Sequence, residues 1–243
     1  MSNARTAKSA REKAAQLRQE AERQAARRRA LIAGGLVLLL IAVAVGVTIF
    51  VRSLPTHSAT PGNLSDGGIV SGAKDAKVTV EVYEDFQCPI CKEFEQATGP
   101  TLDGYAKDTK VRVIYRPVAI LDRASSTNYS TRALNAFAAV VNTTPSAAAK
   151  MREALFANQP AEGSEGLPDS KLVEFAVAAG APKDAMEKAV KEQPYREWTV
   201  EQSDALSKRF PPGGTPTVVV NGTKLENPTV DTITAAVTKA EAS

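Results

Sequence analysis

Cys88-Pro89-Ile90-Cys91 holds the whole thiol content of this 243-residue chain, two cysteines with two residues between them. A pair at this spacing supports thiol–disulfide exchange if one sulfur is kept as a thiolate and the other stands near enough to resolve a mixed disulfide. Cys88 follows a strand pattern and precedes a helical one, so it falls where unpaired backbone N–H groups and the helix dipole favour negative charge. Pro89 suits the first helical position, because an N–H there would have no partner. Cys88 is therefore the candidate nucleophile, with a pKa expected below the free thiol's value of about 8.5, and Cys91, about a turn later, is the candidate resolving thiol. Two other readings of the pair are a static disulfide and half of a metal site shared with a second chain. Closing so short a loop removes little chain entropy, which makes stabilisation a weak reason for a disulfide here. The only histidine, His57, lies far from both thiols along the chain. No cysteine–histidine set can complete a four-ligand structural zinc site, and a Ser/His/Asp or Cys/His catalytic arrangement would depend on His57 alone.

The elements that must position the pair are legible in the hydrophobic periodicity. Ile69-Val70 is a short first strand. Lys77 to Tyr83 alternates, with Val78, Val80 and Val82 on one face and Thr79, Glu81 and Tyr83 on the other, and reads as a strand leading into the cysteines. The helix after Cys88 is expected either to end near Gly99-Pro100 or to resume through Leu102 and Tyr105. Val111 to Tyr115 is a second strong strand. From Asp122 to Arg209 helix signals take over: an apolar run at Ala133–Val141, Pro145 and Pro182 at first turns, Gly180 at a helix stop, and Pro194 between two helices. Thr217 to Val220 is again a strand, Asn221-Gly222 a tight hairpin turn, Lys224-Leu225 the start of its partner, and Val230 to Ala240 a closing helix. The order is that of an α/β layer fold with a helical block inserted at about 122–210.

Two separated segments resemble one family. Tyr83 to Phe94, containing Asp85-Phe86-Gln87-Cys88-Pro89-Ile90-Cys91, is similar to the active-site segment of the DsbA family of thioredoxin-fold disulfide oxidoreductases, and Gly214-Thr215-Pro216-Thr217 is similar to that family's cis-proline loop. The resemblance covers about residues 67–243 and implies a thioredoxin-like fold with a helical subdomain that caps the active-site face and supplies an apolar groove. It implies a cis Pro216 opposite the dithiol and a Thr215 that offers backbone hydrogen bonds to a substrate chain. It also implies catalysis by the dithiol alone, without cofactor or metal. Ile90 stands where strongly oxidising members carry His, and Val82 stands where many relatives carry an acidic residue. Glu81, Glu84 and Asp85 are nearby; Glu84 is the candidate substitute, its alternative being a solvated surface charge. On this reading the protein forms disulfides in exported, unfolded or thiol-containing proteins and is re-oxidised by a quinone-linked membrane partner of the DsbB-like or VKOR-like kind. The alternatives are a reductase or isomerase, and a tethered chaperone or binding module with an incidental dithiol.

Charge separates the chain into unlike parts. The net charge is +3, yet residues 1–29 carry nine basic side chains against three acidic ones, and everything beyond Arg52 carries 20 basic against 24 acidic. The basicity thus belongs to the tail, which leaves no motive for a nucleic-acid function in the main domain. Residues 30–51 form an uncharged run long enough, at about 1.5 Å per helical residue, to cross a lipid core of about 30 Å. Arg27-Arg28-Arg29 before the run and Arg52 alone after it place the N-terminus in the cytoplasm and the rest outside. The expected organisation is a basic cytoplasmic tail over 1–29, an anchor in the lipid bilayer over 30–51, a linker over 52–66, and a catalytic domain over 67–243.

Overall fold

In the computed structural model the described residues are 34–35, 39–47, 58–64 and 67–242. The chain divides into two units, Met1–Pro55 and Thr56–Ser243. In the first, residues 39–47 are helical and Leu39, Leu40, Ile41, Val43, Val45 and Val47 are exposed. The rest of the expected anchor, apart from residues 34–35, and all of the basic tail lie outside the described residues. Among those described, no helix is long and apolar enough to cross a membrane.

The second unit is built on a five-stranded sheet of order β1-β3-β2-β4-β5, with β1 Ile69–Ser71, β2 Val78–Glu84, β3 Val111–Pro117, β4 Thr217–Val220 and β5 Thr223–Lys224. β2 and β3 are parallel, joined by helix α1 (Pro89–Lys107), while β4 runs antiparallel to β2 in a register that sets Val82 opposite Val218. The period of two sorts the strands as expected. Val78, Val80, Val82, Val111, Val113, Val218 and Val220 form one core with Phe94 and Leu102 of α1 and Ile233 and Val237 of the last helix, α7 (Val230–Glu241). On the opposite face Tyr83, Val118 and Val219 pack with Leu206. Asn221 (φ 45°) and Gly222 (φ 84°) both take the left-handed conformations that a two-residue hairpin turn of this kind demands.

α1 does not stop at Gly99-Pro100 but runs on to Lys107 with Pro100 inside it. An interior proline costs a helix about 3 kcal/mol. Pro100 lies on the exposed face, while Phe94 and Leu102 bury themselves against the sheet, each worth about 1.5–3 kcal/mol. Packing on both sides of the proline therefore outweighs the local break.

The insertion comprises two short 3-10 turns (Asp122–Ala124 and Pro145–Ala147) and helices α2 (Tyr129–Thr143), α3 (Ala148–Ala157), α4 (Asp169–Ala179), α5 (Lys183–Glu192) and α6 (Arg196–Arg209). α2 is buried nearly all round and forms its centre. Buried Asn135 ties it to the α5–α6 junction, accepting from Tyr195 N–H at 3.0 Å and donating to the Ala189 carbonyl at 3.0 Å. Residues 58–64, within the expected linker, lie on this subdomain. Ala59 N–H donates to the Pro194 carbonyl at 2.9 Å, Gly62 N–H to Asn142 Oδ1 at 2.9 Å, and Asn63 Nδ2 to the Asn142 carbonyl at 2.8 Å. A polar composition marks a connector, but hydrogen bonds from distant residues fasten this one.

Candidate active site

The dithiol sits at the seam between sheet and insertion. Phe86, Cys88 and Cys91 share a core with α2, and the Phe86 ring meets Phe137 and Phe156 at centroid distances of 5.3 Å each. Locally, the end of β2 is shaped by Asp85, whose Oδ1 accepts from Gln87 N–H at 2.8 Å while its carbonyl accepts from Cys88 N–H at 3.0 Å. That turn leaves Cys88 as the N-cap of α1 (φ −77°, ψ 114°) with Pro89 at the first helical position. The Cys88 carbonyl then accepts from Lys92 N–H at 3.2 Å and from Gln159 Nε2 of the insertion at 2.9 Å.

Both cysteines are thiols, and both are buried. Ile90 between them is 62% exposed. Thr215 is 127 positions beyond Cys88, yet its carbonyl lies 3.5 Å from Cys88 Sγ, and the Thr215–Pro216 peptide is cis. The two thiols are shifted in opposite directions. Hydrogen bonding from the Cys91 thiol, opposed by burial and aided by the Thr215 hydroxyl and the Cys91 backbone N–H, brings Cys88 down to about 6. Burial, then the neighbouring Cys88, pushes Cys91 well above the ordinary thiol range. At neutral pH the pair therefore holds one thiolate and one proton.

Beside the cysteines a groove of about 560 Å³ runs from Ile90 and Phe94 past Pro216 to Pro228 and Val230. Its walls belong to α1, the proline loop and the start of α7. The expectation that the insertion supplies the apolar groove is thus corrected. Behind the dithiol the insertion packs apolar side chains, Phe137 and Phe156 among them, and at its edge it adds polar contacts: Gln159 on the Cys88 carbonyl, the Ala161 carbonyl accepting from Gln87 Nε2 at 3.3 Å, and the Ala157 carbonyl accepting from Lys92 Nζ at 3.4 Å.

The nearby acids are also placed differently from a solvated surface charge. Glu84 is buried and paired through both oxygens with Arg152, at 2.5 and 2.6 Å. Arg152 reaches Glu95 as well and lies 3.8 Å over the Tyr115 ring. Burial pushes the Glu84 carboxyl up, with Arg152 opposing. Glu84 is therefore a structural bridge from the sheet to α3. Glu81, on the other face, pairs with Arg116 and Arg209. Asp85 is the carboxylate set among the cysteines' own hydrogen bonds, and its place at a strand end before a turn was the available sign of it. Gln159, Arg152 and Ser130, whose hydroxyl donates to Asp85 Oδ1 at 2.7 Å, gave no local sign, since their partners lie far away in sequence.

A thiolate and a protonated thiol one turn apart, facing a proline loop and an open groove, suit one class of chemistry: dithiol–disulfide exchange on a thioredoxin-like fold. The comparisons with known proteins agree. Residues 64–239 match the family model described as Thioredoxin. The chain is 31% identical to oxidised DsbA of Mycobacterium tuberculosis, covering 72% of this chain and 93% of that one at a TM-score of 0.62. It is 31% identical to the reduced disulfide bond oxidoreductase DsbG of the same organism, covering 76% and 90% at a TM-score of 0.63. BdbD of Bacillus subtilis, 24% identical, shares the fold at a TM-score of 0.66 over 76% of this chain and all of its own. The serine/threonine-protein kinase PknE of M. tuberculosis is 32% identical over 128 residues, and the chain spans only 22% of that curated relative's length. The chain belongs to the thioredoxin family and, within it, to the DsbA-like thiol–disulfide oxidoreductases.

Proposed function

We propose that this protein is an extracytoplasmic oxidase that introduces disulfides into exported proteins, with Cys88 as nucleophile and Cys91 as resolving thiol. In the oxidised enzyme a substrate thiolate attacks Cys88 Sγ, the Cys88–Cys91 bond breaks, and Cys91 leaves and takes up a proton. A second substrate thiolate then attacks the substrate sulfur of the mixed disulfide and expels Cys88 as a thiolate. Two electrons pass from substrate to enzyme, and a quinone-linked membrane partner removes them to restore the disulfide. Thr215 and Pro216 line the approach, their backbone positioned for an extended substrate segment, and the apolar groove receives its side chains.

The observation that carries this reading is the placement of Cys88 at the N-cap of α1 with Cys91 buried one turn behind it, which displaces the two thiols in opposite directions. A stabilised Cys88 thiolate favours the reduced enzyme, which is what makes its disulfide a good oxidant. A Cys88 pKa of about 6 lies between those of thioredoxin, about 7, and DsbA, about 3.5, so the reduction potential is expected between about −270 and −120 mV. The proposed setting rests on the uncharged run over 30–51, on the asymmetry of Arg27-Arg28-Arg29 against Arg52, and on the exposed apolar side chains of residues 39–47.

The test is the redox state of the pair in growing cells, together with Cys91→Ala. An oxidase holds Cys88 and Cys91 mainly as a disulfide, and Cys91→Ala accumulates mixed disulfides of exported proteins on Cys88. A pair found mainly as thiols assigns the protein to the reductase or isomerase side instead.

A further inference from the structure

The groove beside the cysteines is apolar along its wall and of one charge at its rim. Ile90, Glu93, Phe94 and Ala97 recur at spacings of three and four, so a single face of α1 lines it. Phe94 is buried, whereas Ile90 stands open to solvent. Outside residues 39–47, the other exposed large apolar side chains among those described are Val177 and Val200, both on the insertion. Glu93 and Asp231 are the charged residues of the lining, and both are exposed. Neither forms an ion pair among the described residues. Asp231 lies in the first turn of α7, which the Thr229–Thr232 capping box fixes and where an acid suits the helix dipole.

No lysine or arginine shares this lining. Lys92, next to Glu93, is turned away, its Nζ donating to the Ala157 carbonyl of the insertion at 3.4 Å. A second groove, of about 740 Å³ between α4 and α5, sets Lys183 and Lys191 among its acids, so a rim of one sign is not general to the domain. From Cys88 to Glu93 the helix rises about 7.5 Å, a length that an extended chain covers in two to three residues. A substrate whose cysteine is bonded to Cys88 and whose chain follows the groove therefore brings its second or third neighbour beside the acids. A Lys or Arg there can lay its apolar stem on Ile90 and Phe94 and point its charge at the rim, while an acidic residue is repelled.

We propose that Glu93 and Asp231 are specificity-determining residues that select substrate segments carrying Lys or Arg two or three residues from the reacting cysteine. The inference rests on the oxidoreductase reading and goes beyond it by naming the chemistry of the preferred substrate.

The test uses the full-length oxidised protein and reduced dithiol peptides of one apolar sequence, in which the second and third residues outward from each cysteine are Lys, Gln or Glu. The kcat/KM for peptide oxidation is expected to fall in that order, with Lys about fivefold above Gln, the upper range for an exposed ion pair. The preference is expected to fade between about 0.1 and about 1 M salt, as the screening length drops from about 10 to about 3 Å. Glu93→Gln combined with Asp231→Asn is expected to abolish it. Glu93→Lys, which leaves α7 untouched, is expected to reverse it, and Glu187→Gln in the α4–α5 groove to keep it. Equal rates for the three peptides with the wild type overturn the inference. So does a Lys preference that survives the double neutralisation, which would assign it to the net charge of the domain. A wild type that oxidises neither the peptides nor dithiothreitol overturns the oxidoreductase reading instead.

Discussion

The two sides of the dithiol are built from unlike materials. On the insertion side the surroundings are closed, an apolar backing of Phe137 and Phe156 laced with buried polar contacts: Gln159 holds the Cys88 carbonyl, Asp85 and Ser130 lock the turn, and Arg152 bridges Glu84 and Glu95. On the other side Ile90, Phe94, Pro216 and Val230 face an open groove. The difference separates two tasks. The buried hydrogen bonds fix the backbone around the cysteines, where a displaced sulfur would lose its stabilising donors, and the unfilled side receives a chain of varied sequence. Apolar walls suit the second task because their attraction is non-directional.

Breaking the closed side gives the largest expected effect. Arg152→Ala leaves Glu84 buried without a partner, and breaking such a pair costs about 3–5 kcal/mol. Urea unfolding is expected to show that loss, while the alkylation rate of Cys88 in the folded variant stays near wild type. If the loss is below about 1 kcal/mol, the value typical of an exposed pair, the bridge is not what joins the insertion to the sheet.

The cysteines between the two sides give a pH signature of intermediate size. Cys88 ionises near pH 6 in the folded reduced protein but only near about 8.5 in the unfolded chain. Between these values the unfolded chain binds the extra proton, so the reduced form gains stability as pH rises and loses it as pH falls through 6. The gain is about 3 kcal/mol at most. Above about pH 8.5 the slope reverses, because the unfolded chain ionises Cys91 while the folded protein keeps its proton. Unfolding free energies of reduced and oxidised protein from pH 5 to 9 measure this directly. Parallel curves for the two redox forms would contradict it.

The open side gives the smallest effect. Thr215→Val removes a hydroxyl that favours the Cys88 thiolate and keeps the shape of the loop. The alkylation midpoint of Cys88 is expected to rise by about one pH unit, in keeping with one hydrogen bond to a charged group. An unmoved midpoint assigns the lowering to Cys91 and the helix terminus.

What could be read from residue order is what near neighbours enforce. The alternation Val78-Val80-Val82 dictates a strand, Pro89 after Cys88 a helix start under a sulfur, and Asn221-Gly222 a hairpin, because each rests on backbone geometry over two to four residues. Pro100 marks the limit of such signals: a local break was overridden by burial on either side of it. The surroundings of the dithiol obey no local rule at all. Glu84 and Arg152 are 68 positions apart, Cys88 and Gln159 71, Asp85 and Ser130 45. A side chain's partner at such separations is chosen by how helices close over the sheet, and no periodicity records that choice. The sequence thus contained the reacting sulfurs and the elements that carry them, and the folded chain assigned the charges that surround them, because burial decides whether a carboxylate meets water, an arginine or neutral donors.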